Sequence, residues 1–139
     1  MTHAPNIEGF DHLTFPVHDL DAAERFYVDV LRGRVVRRFD RATFQRFRPE
    51  RAHETDADNS PLHVAIKFHD TPELHLFLQP NRPKTVPVPH PHLALRVDVD
   101  ALDVFIDRLR RAGVPIDGPR RLGPPGHASV YFADPSGNT

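Results

Sequence analysis

Ten histidines and no cysteine define the chemistry open to this 139-residue chain. Without thiols there is no disulfide framework, thiolate metal site or cysteine nucleophile, and imidazole is left as the metal ligand and proton carrier for neutral pH. Three histidines stand out by position. His12 opens His12-Leu13-Thr14-Phe15-Pro16-Val17, His92 opens the matching His92-Leu93-Ala94-Leu95-Arg96-Val97 80 positions later, and His75 lies within Leu74-His75-Leu76-Phe77-Leu78. A single histidine near the start of a strand is ordinarily a hydrogen-bonded edge residue. Packing gives no reason for one to recur at the same place in both copies of a repeat, so His12 and His92 read as metal ligands, with His75 as a third. Imidazole suits iron(II), manganese, zinc or nickel, and two histidines with one carboxylate leave coordination positions open for substrate. No carboxylate is evident on the same strand faces. Glycine-rich phosphate loops and a nucleophile elbow are absent from the sequence.

Strands must position these groups, and a strand sends alternate side chains to opposite faces. Leu13, Phe15 and Val17, then Leu93, Leu95 and Val97, then Leu74, Leu76 and Leu78 form faces that pack on helices. His12 and Thr14, His92, Ala94 and Arg96, and His75, Phe77 and Gln79 share the opposite, open face. If the two copies curve around a common cup, Lys67 and Tyr131 join that surface, with Phe77 as an apolar wall. His63, His69, His90 and His127 read as solvated or structural, although His127 follows a glycine in a loop that could touch substrate.

The repeat organises the chain. An amphipathic helix from about Asp21 to Arg32 carries Ala22, Ala23, Phe26 and Val30 at helical spacing, and Leu102, Phe105, Ile106 and Leu109 repeat the pattern. Each helix stops at a glycine, Gly33 or Gly113, again 80 apart. Strands are expected over Arg34 to Phe39, Leu62 to Phe68 and Leu74 to Leu78, so the first copy reads β-α-β-β-β. The polar stretch Arg41 to Ser60 reads as a surface loop able to act as a flap that brings Phe44 or Phe47 over the cup. The first unit spans about residues 8–80, a proline-rich stiff linker about 80–91, and the second unit about 92–139. That second unit has strands near Val114 to Ile116 and over Ala128 to Phe132, reaches the turn Asp134-Pro135-Ser136-Gly137-Asn138, and lacks its fourth strand in the sequence given.

The charge balance, 18 Lys and Arg against 19 Asp and Glu, gives a net charge of -1. No excess positive potential is available to hold nucleic acid or an anionic membrane. No leader pattern or bilayer-spanning window is present, and the expected location is the cytoplasm.

These features resemble the vicinal-oxygen-chelate superfamily, the glyoxalase, bleomycin resistance protein and extradiol dioxygenase type. The likeness rests on Asp11-His12-Leu13-Thr14-Phe15-Pro16-Val17, Phe26-Tyr27-Val28-Asp29-Val30-Leu31, the segment from His92 to Val97, Ala112-Gly113-Val114, and Phe132-Ala133-Asp134-Pro135-Ser136-Gly137-Asn138. It implies an α+β fold of two βαβββ modules forming a curved mixed sheet around a cup, and commonly a homodimer. It implies first-strand histidines of both modules as metal ligands, here His12 and His92, and a glutamate soon after the Asp-Pro-x-Gly-Asn turn, which falls just past Thr139. His75 most resembles the position where glyoxalase-like members carry a further glutamate ligand. The implied chemistry is a divalent metal that binds two adjacent oxygens of a small substrate, as in ring-cleavage dioxygenases. The alternative within the family is a metal-free protein that sequesters an antibiotic.

Overall fold

The computed structural model describes residues 9–58, 60–83, 92–121 and 124–139. Its centre is a four-stranded sheet built from β1 (His12–Val17), β2 (Arg34–Phe39), β3 (His63–Lys67) and β4 (Glu73–Leu78), in the order β1-β4-β3-β2. β1 and β4 run parallel, with His12 opposite Glu73 and Thr14 opposite His75, while β3 runs antiparallel to both of its neighbours. These are the strands the alternation predicts, and one face of the sheet is the expected core: Val17, Val64, Ile66, Leu74 and Leu76 are buried.

Helix α1 (Leu20–Arg25) begins where the Asp19 carboxylate accepts the Ala22 N–H at 2.9 Å, satisfying one of the free donors of the first turn. The predicted single helix then widens into a π-type turn over Phe26–Val30, with Leu31 N bonded to Phe26 O. Phe26 and Tyr27 are both buried, although a regular α-helix sets adjacent residues roughly 100° apart. The stop signal also differs from the sequence reading. Arg32, not Gly33, takes the left-handed conformation, at φ 64°. Gly33 is required for close approach instead, because a Cβ there would stand 2.7 Å from Ile66 Cγ2 and 3.0 Å from Tyr27 O. In the second copy Gly113 itself is left-handed, at φ 73°.

The stretch expected as a loop between Arg41 and Ser60 is mostly helical: α2 (Arg41–Phe47) is followed by a 3₁₀ segment at Pro49–Asp56. The sequence signals for these helices are Asp40, whose carboxylate accepts from Thr43 N and Thr43 Oγ1 at 2.8 Å each, and Pro49 at the start of the 3₁₀ segment. Phe44 is buried and Phe47 is exposed.

The later part of the chain departs further from expectation. Helix α3 (Leu102–Arg111) forms as predicted, with Ile106 and Leu109 buried, and Leu109 joins the core of the first sheet. Leu93, Val114, Ile116 and Phe132 pack against that same core. The strand expected at 114–116 lies instead at β5 (Asp117–Arg120), paired antiparallel with β6 (Ser129–Tyr131). Residues 92–98 take part in no strand ladder among the described residues, and Leu95 and Val97, expected in the core, are exposed. Leu13, also expected there, is 38% exposed. The linker at 84–91, with His90, and residues 1–8 lie outside the described residues.

Candidate functional site

On the face of the sheet opposite the core, the alternation of four strands assembles a row of flat rings. His12 on β1 stacks on His75 of β4, with ring centroids 4.3 Å apart and planes within 12°. His75 stacks on His63 of β3 at 5.3 Å, and His63 lies against Phe39 of β2 at 4.2 Å and Phe77 of β4 at 4.1 Å. The open-face assignment of His12, His75 and Phe77 is therefore met. His63, read from sequence as solvated or structural, stands in the middle of the row, and the ladder shows why: it faces Phe77 directly across β3 and β4. Thr14 is exposed on β1, and Lys67, two residues beyond Ala65, shares this face.

The carboxylate that the sequence reading did not find is Glu73. It stands two residues before His75 on the same face, and its Oε2 lies 2.9 Å from His75 Nε2 and 2.6 Å from Arg37 Nη2. That spacing of two along a strand was the available signal. The bond with His75, then the Arg37 charge, hold the Glu73 carboxyl below its usual range. At the end of β1, the Asp11 carboxylate accepts from His12 Nδ1 at 2.8 Å, and that bond lowers the Asp11 carboxyl likewise.

These acceptors assign the imidazole protons, because carboxylates and carbonyls only accept. His12 carries its proton on Nδ1 and keeps a lone pair on Nε2, and His75 has the reverse arrangement. His63 Nδ1 donates to Pro61 O at 2.8 Å, which leaves its Nε2 as the acceptor. Burial pushes the His63 imidazole down, so the neutral form prevails at neutral pH.

The remaining predicted residues lie in the later part of the chain. His92 meets Tyr131 edge to face, with ring centroids 5.8 Å apart. Arg96 is exposed within 92–98, and His127 N donates to Pro124 O in an exposed turn. A cleft of about 510 Å³ opens beside Asp11 and Glu73, bordered also by Arg37, Lys67 and Asp70; none of His12, His63, His75, His92, Arg96, Tyr131 and His127 lines it.

The donor set suits a divalent first-row ion in type. A ligating imidazole commonly donates its second N–H to a carboxylate, and Asp11 fixes His12 in that tautomer. In position the set does not close: among the described residues no three His, Asp or Glu side chains gather around one point.

The ordered sheet, with helices on one side and imidazoles on the other, defines an α+β protein of the glyoxalase-like type. Residues 9–139 match the Glyoxalase/Bleomycin resistance protein/Dioxygenase superfamily, and the chain belongs to that superfamily. Similar solved structures include the genomically encoded fosfomycin resistance protein FosX of Listeria monocytogenes, at 14% identity over 96% of this chain and 89% of that one, with a TM-score of 0.69. The antibiotic-binding protein TnmS3 of Streptomyces sp. CB03234 is 21% identical over 97% and 93% of the two chains, TM-score 0.66. A glyoxalase/dioxygenase of Nostoc punctiforme is 22% identical over 99% and 92%, TM-score 0.66. No curated protein matches the sequence. No helix among the described residues is long and apolar enough to cross a membrane.

Proposed function

We propose that this chain is a metal-dependent enzyme acting on a small molecule that presents two adjacent oxygens, in the manner of a ring-cleavage dioxygenase or a related enzyme of the superfamily. His12 and His92 are its metal ligands, and His75 stands beside His12 at the site. One observation carries the reading: His12 sits on the open face with its Nδ1 proton committed to Asp11 and its Nε2 lone pair left for an ion. His92 enters as the residue at the same place in the second copy of the repeat. Held by His12 and His92, an iron(II), manganese, zinc or nickel ion would supply Lewis acidity toward the two oxygens. A fosfomycin resistance protein of this fold has been crystallised with Mn(II). The protein's own groups supply the rest. Phe39 and Phe77 flank the imidazoles with apolar surface, and Glu73 holds a proton on His75 Nε2 within reach of the same surface.

Ring geometry favours a second reading. The His12 and His75 planes are nearly parallel, so their in-plane lone pairs run side by side and do not converge. That arrangement suits a metal-free protein that sequesters a small molecule, the class named by the antibiotic-binding neighbour. Elemental analysis of full-length protein purified without chelator decides between them, with His12→Ala and His92→Ala purified alongside. The enzyme reading expects bound metal in the wild type and a fall of roughly tenfold or more in each variant. Equal metal in all three samples, or none in any, leaves the sequestering protein.

A further inference from the structure

This inference rests on the open face being the surface that binds the small molecule, and it names that molecule's chemical class. Arg34 and Lys67 are direct partners in the antiparallel ladder of β2 and β3. Alternation along β3 places Lys67 on the same face as Ala65 and His63, so Arg34, its partner, shares that face. Like charges directly opposite on paired strands repel. Neither residue makes an ion pair among the described residues. Four other arginines of the first sheet and its connections are differently placed: Arg37 is held by Glu73, Arg38 by Glu24, Arg41 by Asp56 and Arg51 by Glu54.

Arg37 is the third cation of this region. Its pairing with Glu73 uses one N–H group of a guanidinium that has five, so it remains able to donate to a second anion. Arg37 and Lys67 both border the cleft of about 510 Å³. Three carboxylates also border it and oppose an incoming anion: Glu73, paired with Arg37, and two exposed aspartates. Asp11 is occupied by His12 at 2.8 Å, and Asp70 faces His69 at 3.3 Å. Both are more than nine-tenths exposed, at 96% and 91%, where water and salt screen them.

We propose that Arg37 and Lys67, which line the cleft, and Arg34, the ladder partner of Lys67 outside that lining, bind an oxyanion, the phosphate or carboxylate group of the small molecule that enters the cleft. Binding would relieve the opposition of Arg34 and Lys67, neither of which has a carboxylate in ion-pair contact among the described residues.

The test is a titration of ¹⁵N-labelled full-length protein with inorganic phosphate and, separately, with acetate, ionic strength being held constant with chloride. Saturable shifts centred on β2 and β3 are expected with at least one of them, and which one assigns the group. Lys67→Gln and Arg34→Gln should each weaken that binding by roughly tenfold, the size of one charge-assisted hydrogen bond. Lys67→Arg should restore it. Arg120→Gln, on β5, should leave it unchanged, and the titration is run without added metal, which separates this result from the metal assay. The proposal is overturned if neither anion gives saturable shifts, or if Lys67→Gln and Arg34→Gln bind as the wild type does. The same spectra report whether each variant is folded.

Discussion

Two stretches of this chain share a sequence pattern and differ in structure. His12-Leu13-Thr14-Phe15-Pro16-Val17 forms β1, bonded along its full length to β4, whereas the matching residues His92 to Val97 join no ladder among the described residues. The side chains follow. Val17 is 1% exposed and its counterpart Val97 is 36% exposed. Alternation therefore encodes which face a residue would present, but a partner strand is needed to turn that face into a core, since a lone strand cannot satisfy its own backbone groups. The second stretch has the backbone bond Leu93 N to Thr139 O at 3.0 Å, where the first begins its pairing with Glu73 N to Asp11 O at 3.3 Å.

The contrast is sharpest in the cost of removing a leucine. Leu76 is fully enclosed on β4, at 0% exposure, and Leu95 is 39% exposed. Leu76→Ala should destabilise the fold by about 2–5 kcal/mol, through lost burial and the cavity left behind. Leu95→Ala should stay within about 0.5 kcal/mol of wild type, as surface substitutions do. Urea denaturation followed by circular dichroism measures both. Similar losses would break the comparison and place Leu95 in a packed interior.

Between the two regions stands one buried carboxylate. Asp134 Oδ1 accepts from Ser136 N and Asn138 N, while its Oδ2 accepts from Tyr27 OH at 3.0 Å and Asn138 Nδ2 at 2.8 Å. Asn138 Nδ2 also reaches Pro16 O, and Ser136 Oγ receives His18 N, so this turn is fastened to the end of β1. Burial, and then the neighbouring Asp134 charge, push the Tyr27 phenol far above its usual range. Asp134→Ala strips partners from several buried donors at once and should cost about 2–4 kcal/mol. Tyr27→Phe removes one donor and leaves Asp134 its others, so about 1 kcal/mol is expected. If the two variants lose the same stability, the turn is not the fastening between the regions.

Legibility in the sequence follows the same division. The four strands of the first sheet, the inward faces of β3 and β4, and the placing of His12, His75 and Phe77 on one surface all follow from local alternation. Glu73 is one residue outside the strand expected from Leu74, although its spacing of two from His75 is local; the place of His63 is nonlocal, since it depends on β4 lying between β1 and β3, an order that periodicity along one strand does not contain. Arg34 and Lys67 belong to the same class, since only the β2–β3 register sets them opposite each other. The helices at Arg41–Phe47 and Pro49–Asp56 were hidden by polar composition, although the Asp40 cap was readable. Gly33 was read as a helix stop, when its function is to admit Ile66 and Phe68.

The smallest effect is a pH dependence belonging to the first region's ring row. His63 is half-buried, held between Phe39 and Phe77, and burial lowers its affinity for a proton below the ordinary value of 6.5. As pH falls, the unfolded chain therefore protonates this imidazole first. Unfolding takes up a proton in that window, so stability falls as pH drops below about 6.5 and levels off only beneath the folded-state value. The loss should be modest, because the ring is only partly buried and solvent screens part of its charge. Glu73 acts in a separate window. Its carboxyl is held below the usual 4.5, so its contribution is complete above that pH and is lost as pH falls further, through the folded-state value. His63→Phe keeps a ring between Phe39 and Phe77 while removing the titrating group. In urea midpoints measured from pH 8 to pH 3, it should flatten the step just below 6.5 and leave the acidic one in place. A variant that retains the upper step would assign it to another histidine and detach it from the buried face of the row.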